Sequence, residues 1–221
     1  MSPALALLSR ELDLVFGRGG GPLLACGFYA ALTALTPMAA GPSEARLLLV
    51  APGLAWLTLS LASLLSLDQM FARDYDDGSL DHLALSPLPL ALSGAIKCVA
   101  QWLAIGLPLA LCAPVGAIIL GAPVHLAPMI LLTALIGGLA MAFIGGMGAS
   151  LTLGARRGGI LIALIVLPLF APPVIFGTGA VEAVAGGLNP IPALGFLGAF
   201  TLTSLALCPL AMALTIRNAL S

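Results

Sequence analysis

From Cys98 to Ala155 this chain has no Asp, Glu, Lys or Arg, and from Gly158 to Ile216 it has only Glu182. Carriers driven by protons or sodium place ionisable groups at mid-membrane, because the coupling ion needs a titratable or coordinating site. These stretches supply none. A selectivity-filter sequence and a ring of charge are missing too, which argues against an ion channel. The chain has one lysine, Lys97, preceded by "SGAI", so it lacks the G-x-x-x-x-G-K-[ST] loop that cradles ATP phosphates. No basic run is present to track a nucleic-acid backbone, and the net charge is −1. The four cysteines, Cys26, Cys98, Cys112 and Cys208, lie in apolar runs without C-x-x-C spacing, the pattern of small buried hydrophobes. No catalytic, cofactor-binding or metal-ligating set is assigned, and the chain reads as a non-catalytic membrane subunit. His82 and His125 are the only histidines, each lone and near a membrane surface, and they read as polar surface residues.

What is present is apolar. Hydrophobic residues make up 61% of the 221, and charged residues only 8%, against about 25% in soluble domains. With a mean hydropathy of +1.16, most of this surface must face lipid. The fold class expected is an all-α integral membrane protein with six transmembrane helices, at roughly 22–40, 47–67, 98–120, 126–153, 159–180 and 193–216. Each is long enough to cross a hydrocarbon core that takes ~20 residues of helix. Pro168, Pro172 and Pro173 interrupt the fifth, which is either one rod or a span followed by short re-entrant pieces through 181–192. Within residues 1–20, Leu5, Leu8, Leu12, Val15 and Phe16 share one helical face while Arg10 and Asp13 point away. That pattern predicts an amphipathic helix lying on the membrane surface.

Lys and Arg set the orientation. With the N-terminus inside, Arg10, Arg18, Arg73, Lys97, Arg156, Arg157 and Arg217 face the cytoplasm and Arg46 alone faces out, so both termini are cytoplasmic. "GARRGG" (154–159) reads as a tight inner turn with topogenic arginines. In the fourth span, Ala134, Gly138, Ala142, Gly146 and Ser150 recur every four residues. Such a small-residue stripe lets helix backbones approach closely, either within the chain or against a second copy.

The remaining charge is concentrated. Of 17 charged residues, six lie between Asp68 and Asp81, in a cytoplasmic segment spanning 68–97. Arg73, Asp74, Asp76 and Asp77 precede Gly78, and "SLDHLAL" then starts a short helix that Asp77 or Ser79 can cap. Leu80, Leu83 and Ala84 form its apolar side, and Pro87 and Pro89 end it. A charged amphipathic helix held away from the bilayer fits a groove on a soluble partner. A chain with no energy source of its own then has a surface for a motor to grip.

The run "APGLAWLTLSLASLLSLDQMFARDYDDGSLDHLALSPLPL" (51–90) resembles the haem exporter protein B family. The likeness extends through "RELDLVF", "KCVAQWLAIGLPLALCAPVGAIILG" and "RRGGILIALIVLPLFAPPVIF". That family is the membrane (permease) subunit of the ABC transporter of the cytochrome c maturation system. The resemblance implies an ABC exporter permease fold in the bacterial inner membrane. Its partners would be a separate ABC ATPase subunit that hydrolyses ATP, a haem-handling membrane subunit, a small single-span subunit and a periplasmic haem chaperone. Haem would be cargo of the complex rather than a bound cofactor. The role would be haem export, or release of the haem-loaded chaperone. The isolated Trp56 and Trp102, with no paired histidine, favour release.

Two function classes follow. In one, this is a permease whose ATPase-partner contact is built from Arg73, Asp74, Asp76, Asp77, Gly78, Leu80, Asp81 and Leu83. In the other it is an unpowered permease or a membrane scaffold. One six-span unit matches one ATPase, so two ATPases imply a homodimer, with the stripe of the fourth span as a contributor.

Overall fold

The computed structural model describes residues 2–17, 21–40, 44–65, 67, 69–154 and 158–220. The described residues are helical, linked by short turns. α1 (Pro3–Gly17) precedes the long helices α2 (Gly21–Ala40) and α3 (Glu44–Leu64). Two short helices follow, α4 (Gln69–Asp76) and α5 (Ser79–Ala84). α6 (Leu90–Gln101) continues through one π-helical turn (Trp102–Gly106) into α7 (Leu107–Ile119). α8 (Ala127–Leu151), α9 (Gly158–Ala185) and α10 (Ile191–Ala219) complete the bundle.

Among the described residues, five segments are long and apolar enough to cross a membrane: Gly21–Ala39, Leu90–Ile119, Val124–Leu151, Gly159–Ala185 and Ile191–Ala219. Of α3, only the shorter part Ala51–Leu64 counts as apolar helix among the described residues, so the span expected at 47–67 rests on a helix of 21 residues. The topogenic Arg18, Arg156 and Arg157, together with Asp68, lie outside the described residues.

α8 is the centre of the bundle, packed on α10, α9, α7, α6, α4 and α3. Ala134, Gly138, Ala142, Gly146 and Ser150 are all buried within this one chain. Small residues are needed because partners sit where a side chain would go. A Cβ on Gly146 would lie 2.5 Å from Cys98 Sγ, whereas one on Gly138 would meet Trp102 Nε1 at an ordinary contact distance of 3.6 Å. Ser150 accepts a 2.8 Å hydrogen bond from the Thr215 hydroxyl of α10. Aromatics use the neighbouring glycines in the same way. The Trp56 ring of α3 is wedged between Gly137 of α8 and Gly177 of α9. Tyr29 of α2 lies over Gly116 of α7 and donates a 3.1 Å hydrogen bond to the Ala113 carbonyl. Lipid competes for apolar surface but not for these shape matches.

One of two alternatives is selected and one expectation changes. α9 runs unbroken through Pro168, Pro172 and Pro173. Inside a membrane bundle, packed neighbours and local adjustment re-satisfy the carbonyls that proline frees. No re-entrant piece occupies 181–192: α9 ends at Ala185, Gly187 turns at φ +67°, and Asn189 Oδ1 accepts from the Ile191 amide at 3.0 Å as α10 begins. The third span starts at Leu90 rather than 98, which places Lys97 inside a helix and shortens the segment expected over 68–97.

Candidate functional site

The segment between α3 and α6 folds as a helical hairpin. α5 starts at Ser79, as its sequence predicts, and Gly78 takes φ +74°, a conformation that favours glycine. Asp77 Oδ1 accepts from the Ser79 amide at 2.9 Å and also contacts the Ser79 hydroxyl. Those two bonds, the hydroxyl's first, hold the exposed Asp77 carboxyl below its usual pKa range. α4 was not expected from the sequence. Its three charged positions hide a short amphipathic helix that turns Phe71 and Asp74 inward, Phe71 being fully buried.

The hairpin divides the eight candidate contact residues. Arg73, Asp76, Asp77 and Asp81 are exposed, and Gly78 and Leu83 are half-buried. Leu80, expected to fill a partner's groove, and Asp74 are buried at 1% and 3% exposure, their side chains turned towards the bundle of this chain. Leu80 closes the hairpin onto the bundle core, and Leu83 packs at its edge. The outward apolar side chain of this region is instead Leu85, 85% exposed just beyond α5. His82 and His125 are exposed, and among the described residues no group of His, Cys, Asp and Glu could hold a metal ion.

Asp74 belongs to a cluster that joins three helices. Its Oδ2 contacts Lys97 Nζ of α6, and its Oδ1 accepts from Arg10 Nη2 of α1 at 2.9 Å. Lys97 Nζ also donates to Glu11 Oε2 at 2.8 Å and to the Met70 carbonyl at 3.4 Å. Arg10 Nη1 closes the ring on Glu11 Oε1 at 2.7 Å. The Ser79 hydroxyl of α5 lies 2.9 Å from Asp74 Oδ1. The Lys97 ammonium also stands 5.5 Å from the centre of the Phe71 ring, in cation–π range. Two cations and two carboxylates balance. The side chains of Lys97, Asp74 and Glu11 are 1%, 4% and 10% exposed, and Arg10 remains 40% exposed. Burial pushes Asp74 up, but the charge of Lys97 and hydrogen bonds from Arg10, Lys97 and Ser79 together outweigh it, leaving its pKa below the ordinary value. The carboxylate is therefore ionised, and α4 is fixed to α1 and α6 by charge.

This cluster revises one part of the reading of α1, the direction of Arg10. Leu5 and Phe16 of its expected apolar face are exposed, at 57% and 58%. Leu7 and Glu11, one turn apart, press on the bundle, and Arg10 turns to Asp74 rather than away. The sequence carried one signal for it. Lys97, the chain's single lysine, sits in an otherwise apolar run, and a cation there requires a partner.

The sequence comparisons agree along the whole chain. A family profile described as CcmB protein matches residues 2–219. "Heme exporter protein B" of Paracoccus denitrificans is 47% identical over 212 residues, covering 96% of this chain and 97% of that protein. The protein of the same name from Pseudomonas aeruginosa is 42% identical over 94% of this chain and 93% of its own length. That of Bradyrhizobium diazoefficiens is 40% identical over the full length of both. With matches of this extent, the chain belongs to the CcmB family.

Proposed function

We propose that this protein is the six-span permease subunit of an ABC transporter for cytochrome c biogenesis, with the α4–α5 hairpin as the docking point of a separate ATPase subunit. The observation that carries this reading is the split within the hairpin. Asp76, Asp77, Asp81, His82 and Leu85 face outward, while Asp74 and Leu80 anchor the same segment to the bundle. A docking helix needs both properties: a free outer surface, and a stiff attachment through which a partner's motion reaches the spans. In this reading ATP hydrolysis in the partner moves α4–α5, and the cluster at Asp74 passes the motion to α1 and α6. The work done is haem export or release of a haem-loaded periplasmic chaperone, within an inner-membrane assembly that also includes the haem-handling and single-span subunits. Two copies serve two ATPases. Because the α8 stripe is covered inside the chain, the homodimer uses another face.

Leu85→Asp tests the docking point directly. An exposed site accepts the carboxylate without loss of fold, whereas an interface that buries it unpaired incurs a penalty of several kcal/mol. The variant is expected to purify as a folded membrane protein and to lose the co-purifying ATPase. Wild-type recovery of the ATPase would refute the docking point. An ATPase rate that is the same with and without this subunit would favour the scaffold reading.

A further inference from the structure

The span α6–α7 is built in two halves with different anchors. α6 packs on α1 and α10 and is tied to the hairpin through Lys97, whereas α7 packs on α2 and α3 and is held by the Tyr29 hydrogen bond to the Ala113 carbonyl. α8 touches both halves. The π-helical turn Trp102–Gly106 lies where the partners change. Its backbone stays helical, with φ −64° at Trp102 and −65° at Leu107, so the span is jointed rather than broken. The irregularity is in the hydrogen bonds. The Leu107 amide donates to the Trp102 carbonyl, five residues back, instead of to Leu103. Pro108 follows and has no N–H, so the Leu103 and Ala104 carbonyls lose the donors that an α-helix would give them. Fewer bonds then resist bending here than one turn away on either side.

The Trp102 ring covers this turn. It lies along its own helix over Gly106, where a Cβ would come within 2.7 Å of its Cδ1, and it reaches Gly138 of α8 at ordinary contact distance. A buried tryptophan usually finds an acceptor for its N–H. Trp102 Nε1 is buried and has none among the described residues. Nothing directional fixes the ring, and it can slide between the two glycines without breaking a hydrogen bond.

We propose that Trp102–Gly106 is the joint at which α6 swings relative to α7, with the Trp102 ring sliding between Gly106 and Gly138 as its bearing. The load on this joint rests on the proposed function: movement of the docked hairpin passes through Lys97 to α6 and is taken up at the turn, while α7 stays with α2 and α3. The hydrogen bond itself defines a variant without the joint. Deleting Leu103 places the Leu107 amide four residues after Trp102, so the same bond becomes α-helical and the faces of α6 and α7 keep their directions.

The full-length protein in phosphatidylcholine nanodiscs carries two spin labels, attached through keto-bearing residues that replace the exposed Leu92 and Val115, so the native cysteines stay. Pulsed electron–electron resonance gives the distribution of their separation, ~35 Å along a helix. A pair replacing the exposed Leu132 and Leu151 reports on the unjointed α8 as reference. The α6–α7 distribution is expected to be about twice as wide as that of α8, and deletion of Leu103 to narrow it to the α8 width. Where the deletion fails to fold, Pro108→Ala takes its place, since its amide can bond to the Ala104 carbonyl and stiffen the same turn. Equal widths in the intact chain, or a width unchanged by whichever variant folds, overturns the joint. In cells, the deletion variant is expected to co-purify the ATPase at the level of the intact chain while the yield of mature cytochrome c falls roughly tenfold. Full yield overturns the joint's part in the work. Absence of the ATPase from preparations of the intact chain refutes the docking point instead, and the distance distributions still decide the joint.

Discussion

Lys97→Met is the sharpest perturbation of the hairpin's attachment. Methionine keeps a long apolar stem beside Phe71 but removes the ammonium that contacts both Asp74 and Glu11. The four-charge cluster then holds one guanidinium for two carboxylates, a net charge of −1. Arg10 cannot make good the loss, since it already contacts both acids and is 40% exposed. Removing one partner of a buried ion pair costs about 3–5 kcal/mol, because the remaining charge stays desolvated without compensation. The pair's net worth is smaller, so removing the charges together costs less. A triple variant, Glu11→Gln/Asp74→Asn/Lys97→Met, is therefore expected to recover much of the stability lost by Lys97→Met alone. Unfolding in mixed detergent micelles, followed by tryptophan fluorescence, measures both differences. A Lys97→Met variant within about 0.5 kcal/mol of wild type, the range of ordinary surface substitutions, would refute the cluster as a structural tie. So would a triple variant as unstable as the single.

Two further outcomes follow from the same geometry. Asp74 has a folded pKa below its ordinary value, so its contribution is present above the unfolded value of ~3.9 and is lost as pH falls through the lower folded pKa. The stability gap between wild type and Asp74→Asn should therefore hold near neutrality and close in acid, and a gap that is constant down to acid pH would count against the ionised carboxylate. Gly146→Ala places its Cβ 2.5 Å from Cys98 Sγ, an overpacking expected to cost about 1–3 kcal/mol, while Cys98→Ala on the same background should restore most of it. Additive effects of the two substitutions in the same unfolding assay would show that the helices do not meet there.

The parts legible in the sequence are those governed by local chemistry. Asp77 and Gly78 begin α5 where their turn propensities put them, and the four-residue spacing of Gly138, Ala142 and Gly146 marks a helix face that packs closely. Where the cause is non-local, the sequence reading fails. Nothing near Asp74 in the chain announces a partner 64 positions upstream in Arg10, and the outward reading of Arg10 follows from treating α1 as a helix that meets only lipid and water. Leu80 was assigned outward because a short amphipathic helix has one apolar face, and sequence alone does not say whether that face meets its own bundle or another protein. The prolines of α9 leave two alternatives open for a different reason. Proline's penalty in an isolated helix assumes that no neighbour compensates, whereas α9 is flanked by α3, α8 and α10.

The use of charge at this end of the bundle has a physical reason. Within the hydrocarbon, helices cannot be held by apolar burial alone, since lipid tails offer the same contacts, and the central spans rely on glycine notches filled by Trp56, Tyr29 and Cys98. α1 makes no comparable notch and α4 only a looser one, Met70 Cε lying 3.2 Å from a Cβ placed on Gly146, yet a docking segment that slid freely would dissipate whatever motion reached it. A desolvated ion pair is directional and costly to break, so it ties an otherwise loose helix at a defined point. α4 carries Asp74 inward and Asp76 outward within two residues, so displacement of the outer face arrives at Lys97 through less than one helical turn. Beyond Lys97, the helix meets the π-helical turn at Trp102–Gly106, an irregular step of the kind that accommodates movement within a long helix. On the proposed function, a load applied at the hairpin would therefore enter α6 at Lys97, five residues before its π-helical turn.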